Sequence, residues 1–229
     1  MILLAIDCSA NLCAASVYDE AARAELGRKV LDLGKGHAEH LMAVIEEALE
    51  TAGTAYADLG AVAVSVGPGS FTGLRVGVAA ARGLALALKI PAVGVTTLEA
   101  LAEEARQAFP GRPVFAVLDG GRGEIHAALY DDLAVLRYGP AAITLEEAAA
   151  MASPSAAGTV LAGTGAAAVA GAAGRIFDTG PAGATADIAV YARLAAAKTP
   201  GEKPKPLYLR EADARPQAGF VLPRAERGT

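Results

Sequence analysis

Hydrophobic and polar residues follow one another in the first quarter of the chain in patterns that predict strands and then a helix. Ile2–Asp7 is a short apolar run that ends at an aspartate, and Leu12–Asp19 and Ala24–Asp32 follow after polar turns. This pattern is typical of a strand hairpin with a third strand. In His37–Ala52, apolar residues recur every three or four positions between glutamates, which predicts an amphipathic helix.

Farther along, the pattern predicts strands that alternate with helices. Residues 61–66 and 91–95 have the length and composition of buried strands. Residues 72–89 and 97–109 have the apolar content and length of helices, and the second of these helices ends before a Pro-Gly pair.

The predicted helix 72–89 is apolar around most of its circumference. Its charged residues Arg75, Arg82 and Lys89 lie seven positions apart and therefore on one narrow stripe. A helix of this kind is buried on more than one side. One side must cover the sheet, and the other requires either the helix His37–Ala52 or a separate protein. We favour a separate protein.

The second half of the chain repeats the first. ILLAIDCSANLCAASVYD at residues 2–19 aligns with VFAVLDGGRGEIHAALYD at residues 114–131, so that Asp7 corresponds to Asp119. GPGSFTGLRVGVAAA, which begins at residue 67, aligns at nearly the same offset with GPAGATADIAVYARL, which begins at residue 180. Two matches in the same order indicate an internal duplication.

The duplication predicts an α/β protein of two similar domains. We place the N-terminal domain, with the partner-binding helices, at residues 1–100 and the C-terminal domain at residues 101–229. A tail begins at about residue 200, after which residues 207–210 are predicted to add one more strand.

Composition narrows the classes of protein. Of the 229 residues 53% are hydrophobic but only 5% aromatic, so the core must be built from small side chains. The net charge of −5 disfavours unaided binding to a nucleic acid backbone. The N-terminus lacks the basic segment of a secretory signal, and Cys8 and Cys13 lack the spacing of a disulfide framework. These features favour a cytoplasmic protein without a membrane span.

The stretch VSVGPGSFTGLRVG, residues 64–77, suggests either phosphate binding or close packing. A phosphate-binding P-loop has a lysine after its last glycine, and none follows here. The dinucleotide pattern G-x-G-x-x-G fails because Gly73 comes one position late after Gly67 and Gly69. The small residues of the following helix favour the packing interpretation, in which another backbone approaches closely.

Two aspartates at equivalent strand ends are candidates for nucleotide chemistry. Asp7 and Asp119 are expected to face each other across an interdomain cleft, as the paired carboxylates of actin-like kinases and ATPases do when they hold Mg²⁺. The alternative function is therefore a small-molecule kinase or ATPase that uses these two residues. The other interpretation is a vestigial nucleotide cleft, formed by Asp7, Ser9, Asp119, Gly121, Gly163 and Gly165.

The histidines are a weak candidate metal site. His37 and His40 lie three residues apart in the sequence HAEH, whereas zinc on a helix usually takes histidines four apart, with a further ligand. A metalloprotease-like activity is thus a second rival. We predict no metal ligand and no catalytic residue.

The order of the motifs resembles that of a known family. ILLAIDCSANLCAASVYD, GHAEHLM, SVGPGSFTGLRVGVAAARGLALAL, PAVGVTTLEAL, VLDGGRGEIHAALYD, LAGTG and PLYLR together resemble the TsaB (formerly YeaZ) family. The likeness covers nearly the whole chain and is most specific at GPGSFTGLR. The resemblance implies a duplicated actin-like (ASKHA, ribonuclease H-like) fold, with two domains of mixed sheets flanked by helices.

The resemblance also implies a function. TsaB proteins are accessory subunits for threonylcarbamoyl transfer to N6 of the tRNA adenosine next to the anticodon. They pair with the homologous catalytic subunit TsaD, and the ATPase TsaE joins them. TsaD has a metal-binding HxExH, whereas the sequence from His37 to His40 is one residue short of it. The implied role is non-catalytic, with tRNA, and ATP or ADP with Mg²⁺, bound through the complex.

The pairing surface of the family involves two helices of the N-terminal domain. Carried onto this chain, the surface would use residues 40–49 and 74–88. The residues assigned to it are His40, Leu41, Ile45, Leu49, Leu74, Gly77, Val78, Ala81 and Ala85. The same surface could instead form a homodimer in isolation, an alternative that the sequence leaves open.

Overall fold

The computed structural model describes residues 1–152 and 158–209 of the chain. The first half contains five strands and three helices. They are β1 Ile2–Asp7, β2 Leu12–Asp19, β3 Ala24–Asp32, α1 His37–Ala52, β4 Leu59–Gly67, α2 Phe71–Leu88, β5 Ala92–Thr96 and α3 Thr97–Ala108, with a 3-10 helix at Tyr56–Asp58 before β4.

The second half contains the same succession of strands and helices. It consists of β6 Val114–Gly121, β7 Glu124–Tyr130, β8 Leu136–Thr144, α4 Leu145–Ala152, β9 Val160–Ala162, α5 Ala166–Ala173, β10 Asp178–Thr179 and α6 Ile188–Ala196. Residues 207–209 form no strand, so the additional strand predicted for residues 207–210 is wrong in its described part, and Arg210 lies outside the described residues.

The two sheets have the same topology. Their strand orders are β3-β2-β1-β4-β5 and β8-β7-β6-β9-β10. In each sheet the first three strands along the chain pair antiparallel, and the remaining two extend the sheet in parallel. This topology confirms the predicted α/β fold with a duplicated unit and mixed sheets flanked by helices.

The repeat differs from the sequence alignment in one segment. β4 corresponds to β9, because each pairs in parallel with the central strand of its sheet. The equivalent of the turn at Gly67 is therefore the turn at Gly163. Gly180 follows β10, which is the equivalent of β5. The alignment of Gly67 with Gly180 was wrong, since two Gly-Pro pairs occur in non-equivalent turns.

The last helix of each half packs against the sheet of the other half. α3 packs against β6 of the second sheet, and α6 packs against β1 and β2 of the first. A single hydrophobic core lies between the sheets and includes Leu3, Leu101, Val114 and Tyr191. The domain boundary predicted near residue 100 stays a prediction, and it falls within α3.

α1 and α2 cover the other face of the first sheet. Their buried residues pack with inward-facing residues of β1, β2 and β4, and Cys8 and Cys13 are buried there as free thiols. α1 ends at Gly53, which has a left-handed φ of 61°. α2 begins at Ser70, whose side chain accepts a hydrogen bond from the Gly73 N–H, so the first turn of the helix is capped.

The glycine turn before α2 is a packing device within the chain. A Cβ atom at Gly69 would lie 2.2 Å from the Ser9 carbonyl oxygen, and one at Gly73 would lie 2.0 Å from the Cys8 carbonyl oxygen. The Ser70 N–H donates to the Ser9 carbonyl oxygen at 2.6 Å. The backbone that approaches this turn closely is thus the loop after β1 of the same chain.

Two glycines of α2 have opposite surroundings, which gives a matched test. At Gly83 an added Cβ would meet no atom of residues 1–152 and 158–209 within 4 Å, apart from the helix's own backbone. We therefore expect Gly83→Ala to raise the free energy of unfolding by about 1 kcal/mol through helix propensity. Gly73→Ala should lower it by about 2 kcal/mol or more, because the clash is with backbone. Urea denaturation of both variants checks this, and equal effects would contradict the packing described for the turn.

Candidate functional site

Asp7 lies at the centre of a buried hydrogen-bond network. Its carboxylate is 1% exposed. One oxygen accepts from the Ser9 N–H at 2.8 Å, and the other accepts from the Thr185 hydroxyl at 2.7 Å. The Thr185 oxygen is also 2.7 Å from the Tyr191 hydroxyl. We call Asp7, Ser9, Thr185 and Tyr191 the Asp7 network.

The Asp7 network connects the two halves of the chain. Buried carboxylates require hydrogen-bond donors, and here one donor comes from the loop after β1 and the other from the segment before α6. Burial, and next the charge of Asp7, raises the pKa of Tyr191, so its hydroxyl stays protonated. Because the Thr185 proton points to Asp7, Tyr191 donates to Thr185.

Asp119 has different surroundings although it occupies the equivalent position. Its side chain is exposed, and one carboxylate oxygen accepts from the Gly121 N–H at 2.8 Å, which closes its own turn. The Asp119 N–H donates to the Thr164 hydroxyl oxygen at 3.0 Å. The expectation that Asp7 and Asp119 face each other across an open cleft was wrong for Asp7, because Thr185 and Tyr191 enclose it.

Gly163 and Gly165, which were assigned to the vestigial nucleotide cleft, serve packing within the chain. The Gly163 N–H donates to the Pro181 carbonyl oxygen at 2.7 Å, and the Gly165 N–H donates to the Val117 carbonyl oxygen at 3.1 Å. A Cβ at Gly163 would lie 2.3 Å from that same Val117 oxygen. These amides already have acceptors within the chain, so they are not aimed at a phosphate.

The two histidines of the HAEH sequence do not share a site. His37 is buried, and its Nε2 lies 3.2 Å from the Leu12 carbonyl oxygen, so the ring attaches the start of α1 to β2. His40, one turn later, is exposed. Among the described residues no group of three or more His, Cys, Asp or Glu could hold a metal ion.

Most side chains assigned to the pairing surface point into the chain's own core. Of the nine, His40 is exposed, and the other eight are buried: Leu41, Ile45, Leu49, Leu74, Gly77, Val78, Ala81 and Ala85. The prediction selected the inward side of each helix, because apolar periodicity marks burial and cannot say what provides it. A partner that lies on these helices would contact their other sides.

The opposite side of α2 is uncovered in the described structure. Only six of its 18 residues are buried. A stripe of exposed residues recurs every three or four positions along this side of the helix. Within it, Leu86 is 77% exposed. We call this stripe the α2 outer face; it comprises Phe71, Arg75, Ala79, Arg82, Gly83 and Leu86.

The length and composition of α2 are also those of a helix that could cross a membrane. Among residues 1–152 and 158–209 it is the one helix long and apolar enough to cross a membrane by those two criteria. Its packing against β4 and β1 accounts for the inner side of the helix. The apolar surface that remains unexplained is the α2 outer face.

Sequence reasoning missed a cluster at the start of this face. The Arg75 guanidinium carbon lies 3.8 Å from the centroid of the Phe71 ring, and the Arg75 Nε donates to the Tyr208 hydroxyl oxygen at 2.9 Å. The Phe71 and Tyr208 ring centroids are 5.1 Å apart. Tyr208 belongs to the PLYLR motif, to which the sequence analysis assigned no role.

Comparison with known proteins adds an independent line of observation. The family model described as TsaD, tRNA N6-adenosine threonylcarbamoyltransferase, matches residues 32–198. The tRNA threonylcarbamoyladenosine biosynthesis protein TsaB of Escherichia coli K12 is 34% identical over 57% of this chain and 55% of that protein. Its counterpart in Bacillus subtilis 168 is 36% identical over 57% and 55%. The chain therefore spans about half the length of the curated relatives it matches.

Solved structures match over more of the chain. YeaZ from Pseudomonas aeruginosa superposes with a TM-score of 0.74 and 27% identity, over 91% of this chain and 99% of that one. Component A of (R)-2-hydroxyglutaryl-CoA dehydratase from Acidaminococcus fermentans gives a TM-score of 0.51 at 12% identity, over 86% and 98%. The second likeness concerns the fold alone. The duplicated actin-like fold predicted from the sequence is confirmed.

The Asp7 network yields a stability prediction. In Thr185→Val the shape of the side chain is kept, but a buried carboxylate oxygen loses its donor. We expect a loss of about 2 kcal/mol or more in the free energy of unfolding. The control Thr164→Val removes an acceptor at an exposed site and should cost less than about 1 kcal/mol. Urea titration of both variants checks this, and a Thr185→Val protein as stable as the parent would refute the assigned role.

Proposed function

The chain belongs to the TsaD family of tRNA N6-adenosine threonylcarbamoyltransferases, within which it is a TsaB (YeaZ) homologue, and we propose that it is a non-catalytic partner subunit. In this role it binds the catalytic subunit TsaD, which transfers threonylcarbamoyl to N6 of the tRNA adenosine next to the anticodon. The pair then helps to recruit the ATPase TsaE. The proposed location is the cytoplasm.

The observation that carries the proposal is the α2 outer face. Ala79 and Gly83 add little bulk beside the exposed Leu86, so another helix could approach this face closely. At Gly83 no atom of the described residues, apart from the helix's own backbone, lies within 4 Å of an added Cβ, so the described part of the fold does not require glycine there. The missing side chain at Gly83 would leave room for the backbone of a partner.

The surroundings of the polar residues support the non-catalytic part of the proposal. A nucleotide-dependent enzyme of this fold would need the Asp7 carboxylate open to Mg²⁺. Here both of its oxygens accept hydrogen bonds from the chain, and the side chain is buried. His37, the first histidine of the HAEH sequence, is bound to the carbonyl oxygen of Leu12. We expect Mg·ATP hydrolysis by the isolated chain to show no loss in Asp119→Ala.

Exposed leucines on the two halves provide a matched test of the pairing surface. Leu86 on α2 and Leu133 in the β7–β8 hairpin are each 77% exposed. We expect Leu86→Glu to weaken binding to the TsaD of the same organism by about 30-fold or more, because a charge would be desolvated in the interface. Leu133→Glu should bind like the parent chain. Isothermal titration calorimetry with purified TsaD gives both dissociation constants.

Three outcomes of this experiment are informative. Unchanged binding by Leu86→Glu would remove the α2 outer face from the proposal. Equal losses in both leucine variants would point to a general effect of added charge. If the parent chain does not bind TsaD but forms a dimer that Leu86→Glu dissociates, the face pairs two copies of this chain, and the proposed partner is wrong.

A further inference from the structure

We propose that Arg75 is an anchor for a carboxylate of the catalytic partner and that the C-terminal segment 204–208 positions it. We call this segment the strap. The inference rests on the proposed function and extends it, since it assigns a chemistry to one end of the α2 outer face. It also gives a role to the PLYLR motif, whose tyrosine is Tyr208.

The strap is attached to the end of the first sheet by backbone contacts. The Leu207 N–H donates to the Val66 carbonyl oxygen at 2.7 Å. The Leu207 carbonyl oxygen would lie 3.0 Å from a Cβ at Gly67, and Pro204 would lie 3.3 Å from a Cβ at Gly94. Gly67 has a φ of 103°, which glycine adopts without strain. The glycines at the ends of the strands therefore leave room for the strap.

The strap places Tyr208 beside the first turn of α2. There the Arg75 side chain lies over the Phe71 ring, and its Nε–H is bound by the Tyr208 hydroxyl. Phe71 and Tyr208 remain 44% and 43% exposed. A guanidinium held by a ring and a hydrogen bond loses less conformational freedom on binding than a free one.

The charge of Arg75 is uncompensated within the described part of the chain. Arg75 forms no ion pair among the described residues, and neither does Arg82, which lies farther along the same face. The Nε–H is engaged by Tyr208, and the two terminal NH₂ groups have no acceptor among residues 1–152 and 158–209. A guanidinium fork matches a carboxylate or a phosphate, and on a protein partner the matching group is an aspartate or glutamate side chain.

The position and residue types of the cluster agree with a protein partner. Phe71 and Arg75 begin the same stripe that ends at Leu86, so a helix lying along α2 would meet both ends. Aromatic residues and arginine are enriched among the residues that dominate binding energies at protein interfaces. We therefore assign the carboxylate to TsaD, the partner already proposed for the rest of this face.

The test uses four variants of the full chain, titrated with purified TsaD at low and at high salt. We expect Arg75→Gln to weaken binding by about 10- to 100-fold. Arg75→Lys keeps the charge but loses the planar guanidinium, so its affinity for TsaD should lie between that of Arg75→Gln and that of the parent. Tyr208→Phe keeps the ring but loses the orienting hydroxyl, and should weaken binding by about 3- to 10-fold. The control Arg23→Gln, which changes an exposed arginine of the β2–β3 turn outside the α2 outer face, should change binding by less than about 5-fold.

Salt dependence separates an anchoring role from a structural one. Binding by the parent should weaken as salt rises, and Arg75→Gln should reduce that dependence more than Arg23→Gln does. If Arg75→Gln matches the control in affinity and in salt dependence, the anchor is refuted, while Leu86→Glu still decides the proposed function. If the parent chain does not bind TsaD at all, both proposals fail.

Discussion

The fold depends on the close approach of the glycine turn to the loop after β1. The carbonyl oxygens of Cys8 and Ser9 lie where Cβ atoms would stand at Gly73 and Gly69. This constraint seats α2 directly on the first sheet and so determines which of its sides is buried. The same loop begins at Asp7, which binds Thr185 of the second half. One short loop thus supports both α2 and the junction between the halves.

The duplicated halves share a topology but differ in chemistry at equivalent positions. Asp7 ends β1 in a buried network, whereas Asp119 lies in β6 on the surface and closes its own turn. The packing of α3 and α6 against the sheet of the other half explains part of this difference. α6 carries Tyr191 against the first sheet, where it meets Thr185 near Asp7. The hydrogen bond from Thr185 to this enclosed carboxylate connects the two halves.

Sequence patterns predicted much of the fold and less of the site. The bounds of β1, β2, β3 and α1 agree with the prediction because charged residues and glycines interrupt clear apolar periods. α5 was missed, since its alanines and glycine give no period, and β10 was missed because it has only two residues. Leu41 and Val78 were assigned to the wrong side of their helices, because a core and an interface have the same apolar signal. The partner Thr185 lies 178 residues from Asp7, beyond the reach of any local pattern.

The shape of the α2 outer face limits what its small residues can contribute. Alanine and glycine in the middle of the stripe let another backbone come close, but they bury little apolar area, and binding energy scales with that area only in part. Specificity must then come from larger side chains, which are Arg82 within the stripe and the groups at its two ends. Leu86 provides an apolar end, and Arg75 with Phe71 and Tyr208 provides a charged one. In this proposal the small residues set the distance between two helices, and the larger side chains select the partner.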